Sequence, residues 1–370
     1  MIEYDDFGPE KIYEVYHPKL GMKGFVVIDN TALGPGKGGI RMTPSVTPEE
    51  VYKLARTMTW KTALAELPFG GAKSGIIADP RSMTIERKHE LVKIFSQALR
   101  PVSPSLYVAA PDINTGEKEM EVFAKANGNK KSCTGKPKSM GGLPHELGST
   151  GFGVFHAAKI AAEYLKMDLN GASFAVEGFG NVGFFVSKYL VEAGAKIVGV
   201  SDAEGGIYNP KGLDFKKLEE ISEKQKKSAV NYPDAKRIMH SELFELPVDI
   251  LITAAVPNVI GQHNVNNIKA KLIVEGSNIP MTGATEKTLH ERKILVIPDI
   301  IANAGGVISS YVEYIGGNEK TMFRLVEKTV TRNVQLILDS ITQKDRYPRT
   351  WAMDIARERV LSKCDNCRIS

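Results

Sequence analysis

A chain of 370 residues, 42% hydrophobic and 25% charged, has the length for two domains with ordinary cores and the composition of a soluble globular protein. Its formal net charge of +5 is the difference between 48 basic and 43 acidic residues interspersed along the chain, which excludes a nucleic-acid arm; NKKS and KQKKS read as solvated surface. No apolar run reaches the length of a membrane span, the acidic start MIEYDDFGPEK has no signal-like apolar region, and three cysteines make no disulfide framework, so a reducing, cytoplasmic location is expected.

The first third mixes strands and helices. KGFVVIDNTAL reads as a strand leaving into a turn at GPGKGG, which carries Lys37. A helix follows. Thr47 is its N-cap, Pro48 its first residue, and Glu49 and Glu50 suit the positive end of the dipole. Val51, Leu54, Ala55, Met58 and Ala65 fall on one apolar face, and Lys61 shares it. A lysine there snorkels to water or meets a ligand; with Lys37 and Lys73 flanking it, the ligand reading is preferred. Pro68 ends the helix and leads into a second glycine turn, FGGAKSG, around Lys73. Neither lysine belongs to a P-loop, because Leu67 and Ala72, and Thr31 in the other case, stand where glycine is required.

After Gly148 the pattern becomes regular. A helix over 150–166 precedes SFAVE, a glycine turn, a second helix and a second strand. Gly178, Gly180 and Gly183 form G-x-G-x-x-G in the strand–turn–helix context that gives it meaning, with Asn181 and Val182 opening the helix. Asp202 closes the following strand, at the spacing of an acid that binds the adenosine ribose. It favours NAD, and SDAEGG offers no arginine for a 2′-phosphate, although NADP stays open. The runs VDILITAA, KLIVEGS and ILVIPD complete a doubly wound, α/β parallel sheet. The expected domains are 1–148 for substrate binding and oligomerisation and 149–334 for the dinucleotide. A single amphipathic helix over 321–362 has its part beyond 335 packing back on the first domain. Cys364 and Cys367 are read as a frayed tail, and neither a zinc site nor a redox role is expected.

A dinucleotide implies hydride transfer, so the first domain must present a substrate carbon. Lys37, Lys61, Lys73 and Asp112 are the candidate polar groups. Two lysines can hold two carboxylates, and a third, crowded by like charge and desolvated, acts as a base. Asp112 beside it can exchange protons with an amine, though an aspartate after Pro111 is also a common turn residue.

The segments GPGKGGIRM, MTWKTALAELPFGGAKSG, APDINTGEKEM, TGKPKSMGG, VEGFGNVG, SDAEGGIYNPKGLD and NAGGVISSYVEY occur in order from about 34 to 313. They resemble the glutamate/leucine/phenylalanine/valine dehydrogenases. The resemblance implies that Lys73 activates the water that hydrolyses an imino acid, that Asp112 exchanges protons with the substrate amine, and that Lys61 binds the α-carboxylate. It puts Met58 in the substrate-binding set and Asn303 beside substrate and nicotinamide. Thr150, Ala254, Ala255 and Asn278 fall near the nicotinamide and its ribose. Lys37 and Ser310 match the pair that binds a side-chain carboxylate. These imply glutamate, converted reversibly to 2-oxoglutarate and ammonium in a cleft whose closure excludes water, by a homo-oligomer, a hexamer being favoured. The shorter start, Ser74 in place of glycine and HELGSTGFG depart from the family pattern; His145 and Glu146 lack the second histidine of a zinc motif. The alternatives are a branched-chain or aromatic amino-acid dehydrogenase, or a non-catalytic regulatory subunit of a paired dehydrogenase.

Overall fold

The structure, a computed structural model, describes residues 2–144, 147–343, 346–365 and 367; His145 and Glu146 lie outside the described residues. The chain forms two compact units. The first comprises Met1–Leu147, Val307–Met322 and Met353–Ser370, the second Gly148–Gly306 and Phe323–Ala352.

In the first unit, β1 (Lys11–His17), β2 (Met22–Asn30), β3 (Gly36–Thr43), β4 (Gly70–Ile77) and β5 (Tyr107–Pro111) pair in the order β1-β2-β4-β3-β5. β1–β2 and β2–β4 are antiparallel, while β3 runs parallel to β4 and β5. Both faces are covered, which is why β2 reads as a continuous apolar run. Val26 and Ile28 enter the core under α2 (Ile85–Ala98) and α3 (Glu117–Asn127) with Phe95, Tyr107 and Phe123. Phe25 and Val27 face Val51 and Ala55 of α1 (Pro48–Leu64). α1 begins as the sequence predicts, with the Thr47 hydroxyl accepting from the Glu50 amide and Pro48 in the first turn. Arg56 of α1 ties the helix to Asp29 of β2 at 2.9 Å.

The two predicted glycine turns are strands. Lys37 lies on β3 and Lys73 on β4, in the middle of the sheet. Their glycines serve close approach rather than turning. A Cβ on Gly71 would lie 2.1 Å from Thr59 Oγ1 and 2.3 Å from Thr59 N, so glycine lets α1 sit down on β4. A Cβ on Gly38 would lie 1.6 Å from the Ala72 carbonyl oxygen.

The second unit contains α4 (Ser149–Tyr164), β6 (Ser173–Glu177), α5 (Asn181–Glu192), β7 (Lys196–Asp202), β8 (Gly205–Tyr208), α6 (Phe215–Glu219) and β9 (Lys236–Ile238). There follow β10 (Ile250–Thr253), β11 (Leu272–Glu275), α7 (Gly283–Glu291), β12 (Leu295–Ile297) and α8 (Asp299–Ala302). The sheet order is β12-β11-β10-β6-β7-β8-β9. The five strands from β12 to β7 are parallel, as predicted, but β8 and β9 add an antiparallel edge. β8 follows β7 through a turn too short to hold a crossover helix, whereas α6 lies in the longer connection from β8 to β9. Ala175, Val198, Leu251, Ile273 and Val296 line one sheet face and pack on Leu243, Phe244 and Leu289.

The C-terminal region differs from the single predicted helix. α9 (Gly305–Tyr314), α10 (Glu319–Gln343) and α11 (Pro348–Leu361) are separate, and the division between units falls inside each of them. Pro348 fixes the start of α11 because the residue before a proline avoids helical geometry. The return to the first unit therefore begins at Met353 rather than near 335. Cys364 and Cys367 are also not frayed: both are buried and joined as a disulfide, and Asn30 donates to Cys367 Sγ at 3.2 Å. Among the described residues no helix is long and apolar enough to cross a membrane.

Gly71→Ala should lower the thermal midpoint by an amount equivalent to about 1–3 kcal/mol, the cost of overpacking a closed contact. Gly116→Ala, whose new Cβ finds its nearest atom at 3.6 Å, should leave the midpoint nearly unchanged in the same melting experiment.

Candidate functional site

Alternation along the strands decides what faces what in the first unit. Ile40, Met42, Ala72 and Ile76 enter the core under α2 and α3. Lys37, Gly39, Arg41 and Lys73 therefore share the opposite face, the one α1 covers. Asp112 follows β5, and Gly39 lets it approach, since a Cβ there would lie 2.7 Å from Asp112 Cβ.

Asp112 Oδ2 lies 3.0 Å from Lys73 Nζ and 3.1 Å from Arg41 Nε, and Arg41 pairs in turn with Glu50 of α1. Thr115 donates its hydroxyl to the Ile40 carbonyl at 2.7 Å and accepts from the Asp112 amide at 3.0 Å, fixing the loop. Burial pushes the Lys73 ammonium below its ordinary value, with Asp112 opposing that shift. Of the two causes expected from the sequence, desolvation and like charge, loss of water dominates and Arg41 adds in the same direction. Burial works against ionisation of Asp112, yet Lys73 and Arg41 outweigh it and hold the carboxyl below the usual carboxylate range. The pair thus carries a buried carboxylate and an amine whose proton is weakly held.

Lys37 is 1% exposed, and its Nζ donates to the Ala109 carbonyl at 2.8 Å. Burial brings its pKa down to about 7, moderated by Glu313. Glu313 lies on α9, one turn beyond the half-buried Ser310. Its carboxylate accepts from Lys136 Nζ at 2.6 Å and from the amides of Gly135, Lys136 and Leu143 at 3.0, 3.3 and 3.1 Å, which fixes α9 on that loop. Lys61, in the last turn of α1, is 9% exposed, and Met58 lies one turn earlier, half-buried.

In the second unit, the three glycines have three different surroundings. Gly178 takes φ +91°, and a Cβ there would lie 2.4 Å from Ala255 Cβ. Gly183 would place a Cβ 1.9 Å from the Gly178 carbonyl oxygen, so glycine lets α5 pack on the turn. Gly180, the N-cap of α5, has open space where its Cβ would be. That gap, at the positive end of a helix whose first residues are Asn181 and Val182, fits a pyrophosphate. Ala254 and Ala255 donate their amides to Glu177 Oε2 at 3.0 and 3.1 Å, which draws their loop to the same turn. Asn303 Nδ2 donates to Asn278 Oδ1 at 3.0 Å, and Thr150 Oγ1 lies 3.2 Å from the Cβ position of Gly306. A cleft of about 1000 Å³ runs along the glycine turn past Asp202, Ala203, Glu204, Arg237 and His240.

Asp202, which lines this cleft, is itself held by neighbouring donors. Its carboxylate accepts from the Ser228 hydroxyl at 2.8 Å, from the Ala229 amide at 2.7 Å and from the Glu204 amide at 2.9 Å, and so holds a loop from further along the chain. Arg237, exposed on β9, lines the same cleft although SDAEGG itself has no arginine. Sequence reasoning also missed Arg41, Glu50 and Glu313. The signal for Arg41 was present: read as a strand, GKGGIRM puts it on the same face as Lys37. Among the described residues no group of three metal-ligating side chains occurs.

Comparison with known proteins gives two family matches: the Glu/Leu/Phe/Val dehydrogenase dimerisation domain over residues 9–128, and the glutamate/leucine/phenylalanine/valine dehydrogenase domain over 141–366. The chain is 41% identical over 347 residues to the NADP-specific glutamate dehydrogenase of Saccharolobus shibatae, covering 90% of this chain and 82% of that one. It is 40% identical over 303 residues to the NAD-specific glutamate dehydrogenase of Staphylococcus aureus, covering 80% and 73%. Its fold matches the hetero-hexameric glutamate dehydrogenase of Thermus thermophilus with a TM-score of 0.86 at 26% identity, covering 98% of this chain and 91% of that chain.

The glycine surroundings separate folding from binding. Gly180→Ala should leave the melting midpoint in place and weaken NADH or NADPH binding about tenfold, near the loss of one hydrogen-bonded contact. Gly183→Ala should lower the midpoint itself. Fluorescence titration and thermal melting of both variants check the contrast.

Proposed function

The chain belongs to the glutamate/leucine/phenylalanine/valine dehydrogenase family and is thus an NAD(P)-dependent amino-acid dehydrogenase, and we propose that its amino acid is L-glutamate, oxidised reversibly to 2-oxoglutarate and ammonia. The observation that carries the choice of glutamate is Lys37. A fully buried ammonium whose nearest partner is one carbonyl is held at a cost that a substrate carboxylate would relieve, whereas an apolar side chain would add to it.

In this reading the first unit is the substrate domain. Lys61 takes the α-carboxylate, Lys37 and Ser310 take the distal one, and Met58 flanks the bound chain. The second unit holds the dinucleotide through Gly178, Gly180, Asn181, Val182 and Gly183, with Thr150, Ala254, Ala255, Asn278 and Asn303 toward the nicotinamide. When bound, the dinucleotide accepts hydride from the substrate Cα. Lys73, kept short of full proton affinity by burial, takes a proton from the water that adds to the imino acid. Asp112, held anionic by Lys73 and Arg41, receives that proton and passes it to the leaving nitrogen. A homo-oligomer, with a hexamer favoured, accompanies this reading.

For the coenzyme, the sequence alone favours NAD, but two features of the cleft support NADP as well. Asp202 is engaged by Ser228 and Ala229, and Arg237 stands beside it. Relatives of nearly equal identity carry either specificity in their names, so overall similarity does not choose. Arg237→Ala should lower kcat/KM for NADPH about tenfold, the scale of one charged hydrogen bond to a phosphate, and leave that for NADH nearly unchanged.

Initial rates with 2-oxoglutarate, ammonium and either NADH or NADPH, beside 4-methyl-2-oxopentanoate, test the substrate. Preference for the apolar oxo acid would overturn the reading of Lys37 and Ser310. Lys37→Met should abolish the rate with 2-oxoglutarate yet raise the thermal midpoint. The sign follows from the depressed pKa: between about 7 and 10.5 the unfolded chain binds a proton that the native lysine does not, so native stability rises with pH across that window. The gain on removing the lysine is therefore largest near neutrality and shrinks toward pH 10.5.

A further inference from the structure

Four charged side chains of the second unit form a cluster that takes no part in the chemistry above. Arg349, near the start of α11, lies 2.6 Å from Glu286 of α7, 2.7 Å from Glu275 at the end of β11 and 2.8 Å from Asp299 at the start of α8. The three carboxylate side chains are between 0% and 2% exposed. One guanidinium thus faces three buried acids, and burial raises Glu275 well above its ordinary value and Glu286 in the same direction.

What the cluster holds is a strained loop. Residues 276–279 leave the end of β11, and Ile279 takes φ +50°, a left-handed conformation that a β-branched residue rarely adopts. Such strain persists only where the surroundings fix it. Here Asp299 Oδ2 accepts from the Ile279 amide at 2.9 Å, and the Ile279 carbonyl accepts from the Asn258 amide at 2.9 Å. Glu275 Oε2 accepts from the Asp299 amide at 2.9 Å, locking the strand end to the helix start. One turn along, Asn303 donates to the Gly276 carbonyl at 3.2 Å and to Asn278 Oδ1 at 3.0 Å. The loop that presents Asn278 and the helix that ends at Asn303 are thereby joined at both ends, and the charge balance of that joint depends on Arg349.

We propose that Arg349 is a positioning residue for the nicotinamide end of the dinucleotide site, holding the Asn278–Ile279 loop against the helix that ends at Asn303. The inference rests on the reading of Asn278 and Asn303 as neighbours of the nicotinamide. It does not extend to the adenosine end, whose glycine turn and Asp202 belong to other strands. Arg349→Lys keeps one charge but cannot span three carboxylates.

The experiment uses the full-length protein and two probes, NADH and ADP-ribose, which differ by the nicotinamide ring. Arg349→Met is expected to bind ADP-ribose as the wild type does, to bind NADH more weakly, and to lose about 100-fold in kcat, the scale of misplacing a reacting group by about 1 Å. Arg349→Lys should recover part of the kcat, and it decides the matter alone if the methionine variant does not fold. Equal weakening of both probes would show a general structural role and overturn the proposal, as would wild-type kcat in both variants. The two readings fail separately. Absence of turnover by the wild type with any oxo acid would sink the assigned activity, whereas the difference between NADH and ADP-ribose binding would still report on the loop.

Discussion

Burial of cations on one face of a small sheet is the constraint from which the first unit follows. Lys37, Arg41 and Lys73 occupy neighbouring strands under a helix, where each would lose most of its hydration. Asp112 meets two of them, and Glu50 meets Arg41 again from α1. Lys37 has a carbonyl and the more distant charge of Glu313. The glycines of β3 and β4 make the arrangement possible by giving up side-chain volume, so that α1 and the Asp112 loop close over the face. Conformational freedom is given up for shape, and the result is two lysines, Lys37 and Lys73, whose ammonium forms burial disfavours.

The second unit solves a different problem with a similar economy of volume. Its glycine turn has one closed side, at Gly178 and Gly183, and one open side, at Gly180. The closed side packs strand, helix and the Ala254–Ala255 loop together through Glu177, a buried carboxylate that accepts two of that loop's amides. The open side remains at the start of α5. Asp202, Glu177 and Asp299 each accept a backbone amide from a loop elsewhere in the unit, so each acts as a loop anchor.

Features whose cause is local were legible in the sequence. The Thr47–Pro48 start of α1, the strand–glycine–helix succession at β6 and α5, and the parallel strands β10, β11 and β12 all follow from neighbouring residues. Lys37 and Lys73 were identified, yet on the wrong kind of element, because a strand rich in glycine lacks the branched residues that mark strands, and the reason for its glycines is a helix that packs from elsewhere. Arg41 was missed for the same reason. Asp202 and Arg237 show a second limit: Ser228 and Ala229, which donate to Asp202, lie 26 and 27 positions further on, and Arg237 reaches the cleft on the antiparallel edge of β8 and β9. The break between α10 and α11 had a proline signal, but amphipathic spacing on both sides of it concealed the join.

The interrupted course of the first unit has a consequence for synthesis. Its sheet is encoded by the first 147 residues, yet Arg359 binds the carbonyls of Ala63 and Leu64 at the end of α1, and Cys367 receives a hydrogen bond from Asn30 of β2. On a ribosome, the end of α1 emerges 295 residues ahead of Arg359 and Asn30 of β2 emerges 337 residues ahead of Cys367, and most of the second unit is translated in between. A nascent first unit must therefore wait with one flank uncovered, and the unit that begins first is completed last.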